Sequence, residues 1–278
     1  MPQNLSKIEE KGMGLVAKLE AQILILHFPP TISIDKSHPL LVYNELRKSV
    51  RDKLYVILMS NGGDIPSAYE IAKLCRQFTE LHVIVPLYAW SASTLLCLAA
   101  DELLMLKIGK IGPIDPQITL QGSLISEIQP PREAHIPQRA IRDLADVYRH
   151  YIGSYEDDKG VAEAIVKPMF DKVNPFYLAT HFYNDDTMEM YGLKILSQRG
   201  VEEKKARACI ARLLSYPSHT YPIDYEEIEN IPELREVIST KLIEDMGDEG
   251  LVNDIPELMM DLLTLNEPYI KLFSPLTK

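Results

Sequence analysis

Two short turns hold the residues of this chain best suited to chemistry. The first is Ser60-Asn61-Gly62-Gly63-Asp64, which follows the apolar run Leu54-Tyr55-Val56-Ile57-Leu58-Met59. The second is Tyr88-Ala89-Trp90-Ser91-Ala92-Ser93, which follows Leu81-His82-Val83-Ile84-Val85-Pro86. A glycine pair can turn backbone N–H groups toward an oxygen that becomes negative during acyl transfer. A serine at the second turn stands where a nucleophile is needed, at the mouth of a parallel sheet. Residue type and position alone leave Ser91 two roles: nucleophile, or N-cap of the helix that begins near Thr94-Leu95-Leu96.

The elements around these turns follow from hydrophobic pattern. Residues 1–20 alternate charged and apolar residues at helical spacing and predict a first helix or a partner-binding arm. Gln22–His27 reads as a strand closed by Pro29-Pro30, and residues 39–50 as a helix with Leu40, Leu41, Tyr43, Leu46 and Val50 on one face. Residues 54–59 form a continuous apolar strand, as expected when both faces are covered. Residues 65–78 then read as a helix whose first turn follows Asp64 and accommodates Pro66. Residues 81–86 give the next strand, 91–100 a helix buried all round, and 103–107 a further strand. This order implies a parallel sheet with right-handed crossovers. The glycine- and proline-rich stretch 109–122 predicts a loop that lines something.

From Pro137 onward helical patterns dominate, over 138–152, 157–172, 176–192, 201–214 and 232–246. Asp224, with Glu227 three residues on, gives a capping-box start for a helix at Tyr225. An amphipathic segment, 256–265, and a loop complete the chain. The expected organisation is an α/β core over 1–124, a helical insertion over 125–230 that returns to the core, and C-terminal helices over 231–278.

Bulk properties exclude several functions. The chain has 278 residues and a net charge of −11, and a nucleic-acid binder needs a basic surface instead. Apolar residues at 46% and charged residues at 25% suit a water-soluble globular protein. The uncharged run 81–100 is better explained by a buried strand and helix than by a membrane span, because it contains His82, Pro86 and three hydroxyl residues. Cys75, Cys97 and Cys209 are too far apart for a zinc site or a disulfide framework, which points to a reducing cytoplasm. The N-terminus lacks the apolar core of a signal peptide. His27, His38, His82, His135, His150 and His181 show no metal-ligand spacing, and Asp185-Asp186 with Glu189 reads as a solvated helix start. No Gly-x-Gly-x-x-Gly follows a strand. Neither a metal nor a cofactor is expected.

An ordered set of motifs resembles one family. Leu58-Met59-Ser60-Asn61-Gly62-Gly63, Ala89-Trp90-Ser91-Ala92, Ala99-Ala100-Asp101-Glu102 and Gly109-Lys110-Ile111-Gly112-Pro113-Ile114-Asp115-Pro116-Gln117 together look like the serine dehydrogenase proteinase family. That family is related to signal peptide peptidase and the Clp proteolytic subunit. The resemblance is dense over about residues 54–118 and resumes around 218–230. It implies an α/β, Clp/crotonase-like spiral of βαβ units with a parallel sheet, here carrying a helical C-terminal half, and assembly into oligomers.

The resemblance also implies roles. The nucleophile maps onto Ser91, and the oxyanion hole onto the backbone N–H groups of Gly62, Gly63 and Ala92. Clp-type relatives place a histidine in the loop after the next strand and an aspartate beside a later helix. Here those places hold Asp115 and His219, so the pair looks exchanged. A triad is defined by geometry and not by chain order, which gives Ser91 as nucleophile, His219 as base and Asp115 as orienting carboxylate. The signal-peptide-peptidase branch uses a lysine instead. Near that place stands Arg139, which cannot act as a base, while Lys110, Lys167 and Lys172 match no motif. Relatives carry Ser-Ala-Gly at the nucleophile where this chain has Ser91-Ala92-Ser93. The extra hydroxymethyl either crowds the turn or supplies a hydrogen bond.

The expected function is that of a soluble serine peptidase acting on peptide or protein substrates. Two alternatives remain: an inactive scaffold or binding subunit of the same fold, and a crotonase-type enzyme that stabilises an enolate on an acyl-thioester. A homo-oligomer is expected from the helical excursion and the apolar tail Leu258, Met259, Met260, Leu262 and Leu263.

Overall fold

The computed structural model describes residues 3–47, 49, 52–115, 117–120, 134–137 and 175–275. A six-stranded sheet organises most of them, in the order β10-β1-β2-β3-β5-β9. Its strands are β1 (Gln22–His27), β2 (Lys53–Met59), β3 (Glu80–Val85), β5 (Glu102–Met105), β9 (Thr240–Leu242) and β10 (Tyr269–Phe273). All neighbours are parallel except β10, which runs antiparallel to β1. The parallel neighbours β1–β2, β2–β3 and β3–β5 are joined through α2 (His38–Leu46), α3 (Ile65–Cys75) and α4 (Thr94–Ala99).

Alternation along the strands sorts side chains onto two faces. Ile23 and Ile25 of β1, Tyr55, Ile57 and Met59 of β2, Ile84 of β3 and Leu104 of β5 join one buried cluster. Ile8, Leu15 and Val16 of α1 (Gln3–Leu19) and Leu251, Ile255, Leu258 and Leu262 of helix Glu249–Leu262 cover it. The alternate set, Leu24, Leu26, Val56, Leu58, Val83 and Val85, is equally buried and faces the side where α3 packs against α2 and α4. A sheet covered on both sides requires such apolar runs. Burial of each large side chain contributes about 1.5–3 kcal/mol.

The predicted helix starts hold. The Asp64 carboxylate accepts from Ser67 N–H at 3.0 Å, with Pro66 in the first turn of α3. The Asp224 carboxylate accepts from Glu227 N–H at 2.9 Å. Each bond satisfies an N–H left unpaired at a helix start.

Two expectations at the C-terminal end change. Residues 232–246, expected as one helix, form helix Pro232–Arg235 and then strand β9, which pairs in parallel with β5. The segment after 265, expected as a loop, contains β10. Both strands complete sheet edges whose N–H and C=O groups would otherwise lack partners. The helix expected over 91–100 divides into a 3-10 turn, Ser91–Ser93, and α4. The expected helices 138–152 and 157–172 lie outside the described residues.

By contact density the chain forms two compact units, residues 1–114 with 189–278, and residues 115–188. The first holds the six-stranded sheet. In the second, β7 (Gln117–Leu120) and β8 (Ala134–Pro137) pair antiparallel, and the helix Pro175–Gln198 begins.

Candidate active site

The two turns singled out in the sequence lie side by side at the C-terminal ends of β2 and β3. An isolated parallel bridge pairs Ser60 with Ala89. Ser60 N–H donates to Tyr88 O at 3.2 Å and Trp90 N–H donates to Ser60 O at 2.9 Å. On the far side, β4 (Tyr88–Ala89) pairs in parallel with β6 (Lys110–Ile111), and Gly112 N–H donates to Ala89 O at 2.9 Å. Backbone bonds therefore hold the glycine turn, the serine turn and the 109–114 loop in one row.

Ser91 is partly exposed and has φ +55°. A side chain other than glycine in the left-handed region costs on the order of 1–2 kcal/mol. Such strain persists only where the surroundings fix it, and it concentrates at functional sites. Here the fixing contacts are visible. An atom placed as a β-carbon on Gly62 would lie 2.6 Å from Trp90 O, 2.9 Å from Ser91 Cβ and 3.0 Å from Ala92 N. One placed on Gly112 would lie 2.6 Å from the Trp90 ring and 3.0 Å from Ser91 N. Only glycine at 62 and 112 lets both neighbouring backbones press against the serine turn.

The glycine turn has its own lock. Gly62 has φ +87° and Gly63 φ +141°. Gly62 N–H donates to Ser60 Oγ at 3.0 Å, and Ile34 N–H donates to Gly62 O at 2.7 Å. The peptide plane that carries Gly62 O also carries Gly63 N–H, pointing the opposite way across a trans bond. Gly63 N–H is thus turned away from Ile34. Neither Gly63 N–H nor Ala92 N–H donates to a described residue. Of the three amides expected to serve an oxyanion, Gly62's is engaged by Ser60, while Gly63 and Ala92 carry the open pair.

The other predicted residues lie as follows. Asp115 is buried, 5% exposed, and opens the second unit. His219 is partly exposed in the turn closed by Tyr221 N–H to Ser218 O at 3.0 Å. The chain beyond this turn reaches the site row through Ile223, which exchanges both backbone bonds with Ile111 at 2.9 and 3.0 Å. The Ser91 hydroxyl makes no hydrogen bond with a described residue, so Gly62, Ser91 and Ala92 come together while His219 is not bonded to the serine. Lys110 stands opposite Tyr88 in β6. Arg139, Lys167 and Lys172 fall outside the described residues. No group of histidine, cysteine and acidic residues with metal-binding geometry occurs among the described residues, and no described helix is long and apolar enough to cross a membrane.

Sequence reading assigned no role to Ser60 or Gly112, and it left Ser93 either crowding the turn or supplying a hydrogen bond. Ser93 is fully buried, and its Oγ lies 2.6 Å from Trp90 O and 3.1 Å from Ser60 O. The hydroxymethyl that replaces glycine thus makes hydrogen bonds inside the turn. A serine two residues before a glycine is an available signal for Ser60, since serine hydroxyls accept from the N–H two residues on.

Comparison with known proteins identifies the family. The family model of ClpP-like SDH-type serine proteinases matches residues 13–157, just over half of the chain. The chain belongs to that family. The ClpP-like SDH-type family match spans both turns and the sheet between them, and the fold is the α/β Clp/crotonase type with a mostly parallel sheet. Two uncharacterized proteins of Methanocaldococcus jannaschii are similar. One is 38% identical over 89 residues (31% of this chain, 30% of that protein), the other 31% identical over 115 residues (39% of each). The chain matches only about a third of the length of these curated relatives. Among solved structures, one described as an enoyl-CoA hydratase/isomerase from Novosphingobium aromaticivorans matches with 16% identity. That match has a TM-score of 0.28 and covers 68% of this chain and 80% of that one.

Proposed function

We propose that the chain is a serine peptidase with Ser91 as nucleophile. One observation carries the reading: Ser91 is held at φ +55° against the glycine turn, with Ala92 N close to the same point. A strained turn of this kind presents a hydroxyl to a substrate carbonyl. Ser91 Oγ attacks the scissile carbonyl carbon, and the carbonyl oxygen takes the negative charge beside Gly63 N–H and Ala92 N–H. Preorganised donors of this type contribute about 3–4 kcal/mol each to lowering the barrier.

A base must take the hydroxyl proton and return it to the leaving amine. We assign that role to His219. Support comes from the Ile111–Ile223 pairing, which ties the strand end following the His219 turn to the row that holds Ser91. Catalytic hydrogen bonds tighten on substrate binding, so an unliganded site does not need the Ser91–His219 bond already made.

Hydrolysis of an unstructured protein substrate by the wild type and by Ser91→Ala tests the reading. Cleavage that disappears in Ser91→Ala supports it. Equal cleavage by the two proteins rejects Ser91 as the nucleophile, and no cleavage by either rejects the peptidase reading and favours a binding subunit of the same fold.

A further inference from the structure

We propose that Ser60 and Ser93 are positioning residues that clamp the two turns together and so aim the oxyanion-binding amides; this rests on the peptidase reading of Ser91. Both side chains are completely buried, so neither is a spare nucleophile. Ser93 Oγ reaches one carbonyl from each turn, Trp90 O at 2.6 Å and Ser60 O at 3.1 Å. Its single proton serves the nearer carbonyl and attracts the other. Ser60 O also accepts Trp90 N–H at 2.9 Å, so the carbonyl of the glycine turn is gripped twice by the serine turn.

Ser60 extends this grip to Gly62. Its hydroxyl accepts Gly62 N–H at 3.0 Å and fixes the peptide plane before Gly62. Ile34 fixes the plane after it through Gly62 O. With both planes held, the Gly63 N–H direction is set. Removal of either hydroxyl leaves the attacking serine in place and loosens the amide that receives charge. Ser93 thereby supplies through hydrogen bonds a rigidity that the small residues of the turn alone do not.

The clamp predicts a selective kinetic loss. With a fluorophosphonate probe, the inactivation rate constant and the probe's reversible affinity are measured separately for wild type, Ser60→Ala, Ser93→Ala and the double variant. Each single variant is expected to lose roughly ten- to a hundredfold in the inactivation rate constant, as for a misplaced catalytic group, at unchanged reversible affinity. The double variant loses less than the product of the two, because one network is broken twice. Ser93→Gly replaces Ser93→Ala if the latter does not fold, with the same expected loss. Folded single variants that react at the wild-type rate overturn the clamp while the peptidase reading stands. A wild type that does not react overturns both.

Discussion

Gly62 and Ser91 meet back to back: a β-carbon on Gly62 would stand 2.9 Å from the β-carbon of Ser91. The contact ties the strained serine to the glycine turn, and nothing larger than hydrogen fits between them.

Gly62→Ala therefore strikes structure and chemistry together. The new methyl would lie 2.6 Å from Trp90 O, a backbone atom held by its own bonds, and the φ of +87° is unfavourable for alanine. A loss of about 2 kcal/mol or more is expected from strain of this kind, read as a lower denaturation midpoint in urea. An unchanged midpoint would mean that the two turns separate easily.

His27 should make the protein acid-sensitive. It is 1% exposed, neither ring nitrogen has a hydrogen-bond partner among the described residues, and burial pushes its pKa down from 6.5 to about 4. Above pH 6.5 the imidazole is neutral whether the chain is folded or not. Between 6.5 and about 4 the unfolded chain binds a proton that the folded chain refuses, so stability falls as pH falls through that window. Below about 4 this contribution levels off. The loss is no more than about 3.5 kcal/mol. Unfolding free energy measured against pH should be flatter across that window in His27→Leu. Equal slopes in the two proteins would contradict the assignment.

Phe273 should anchor the C-terminal strand. Its residue is 4% exposed within the cluster formed with α1 and helix Glu249–Leu262, and the site of a β-carbon on Gly12 lies 2.8 Å from its ring. Phe273→Ala is expected to cost about 3–5 kcal/mol by chemical denaturation. A cost below about 0.5 kcal/mol, within the usual range for a surface substitution, would show that β10 is not integral to the sheet.

The three cysteines should be silent in the folded protein. Cys75, Cys97 and Cys209 are all buried, and burial pushes the Cys75 and Cys209 thiols up to about 12 and raises Cys97 as well. A thiol reagent should react with none of them until denaturant is added, because the thiolate is the reactive form. Reaction of one equivalent under native conditions would contradict this burial. Silence here also means that an electrophilic serine probe has no competing thiol target.

Sequence and structure agree where one physical signal dominates. Leu54–Met59 and Leu81–Pro86 are apolar on both faces and read as central strands, and their ends locate the two turns. Pro66 and Asp224 announce helix starts, because the ring suits a first turn and the carboxylate accepts an unpaired N–H. Thr240–Leu242 and Tyr269–Phe273 are short edge strands, and only the exposed edges of β5 and β1 call for them. The role of Ser60 is opaque, and that of Ser93 stays open between crowding and bonding, for a related reason: a serine hydroxyl finds its acceptor only when a second turn is brought beside it. The proposed base is the least legible part of the candidate site, since His219 precedes a proline-containing segment tied to the site row through the backbone bonds between Ile111 and Ile223.

Intact-mass and peptide-mapping measurements after treatment with a fluorophosphonate address the central claim most directly. The account predicts one covalent adduct per chain, located on Ser91 and absent from Ser91→Ala. No adduct on the folded protein, or an adduct that survives in Ser91→Ala, would contradict it.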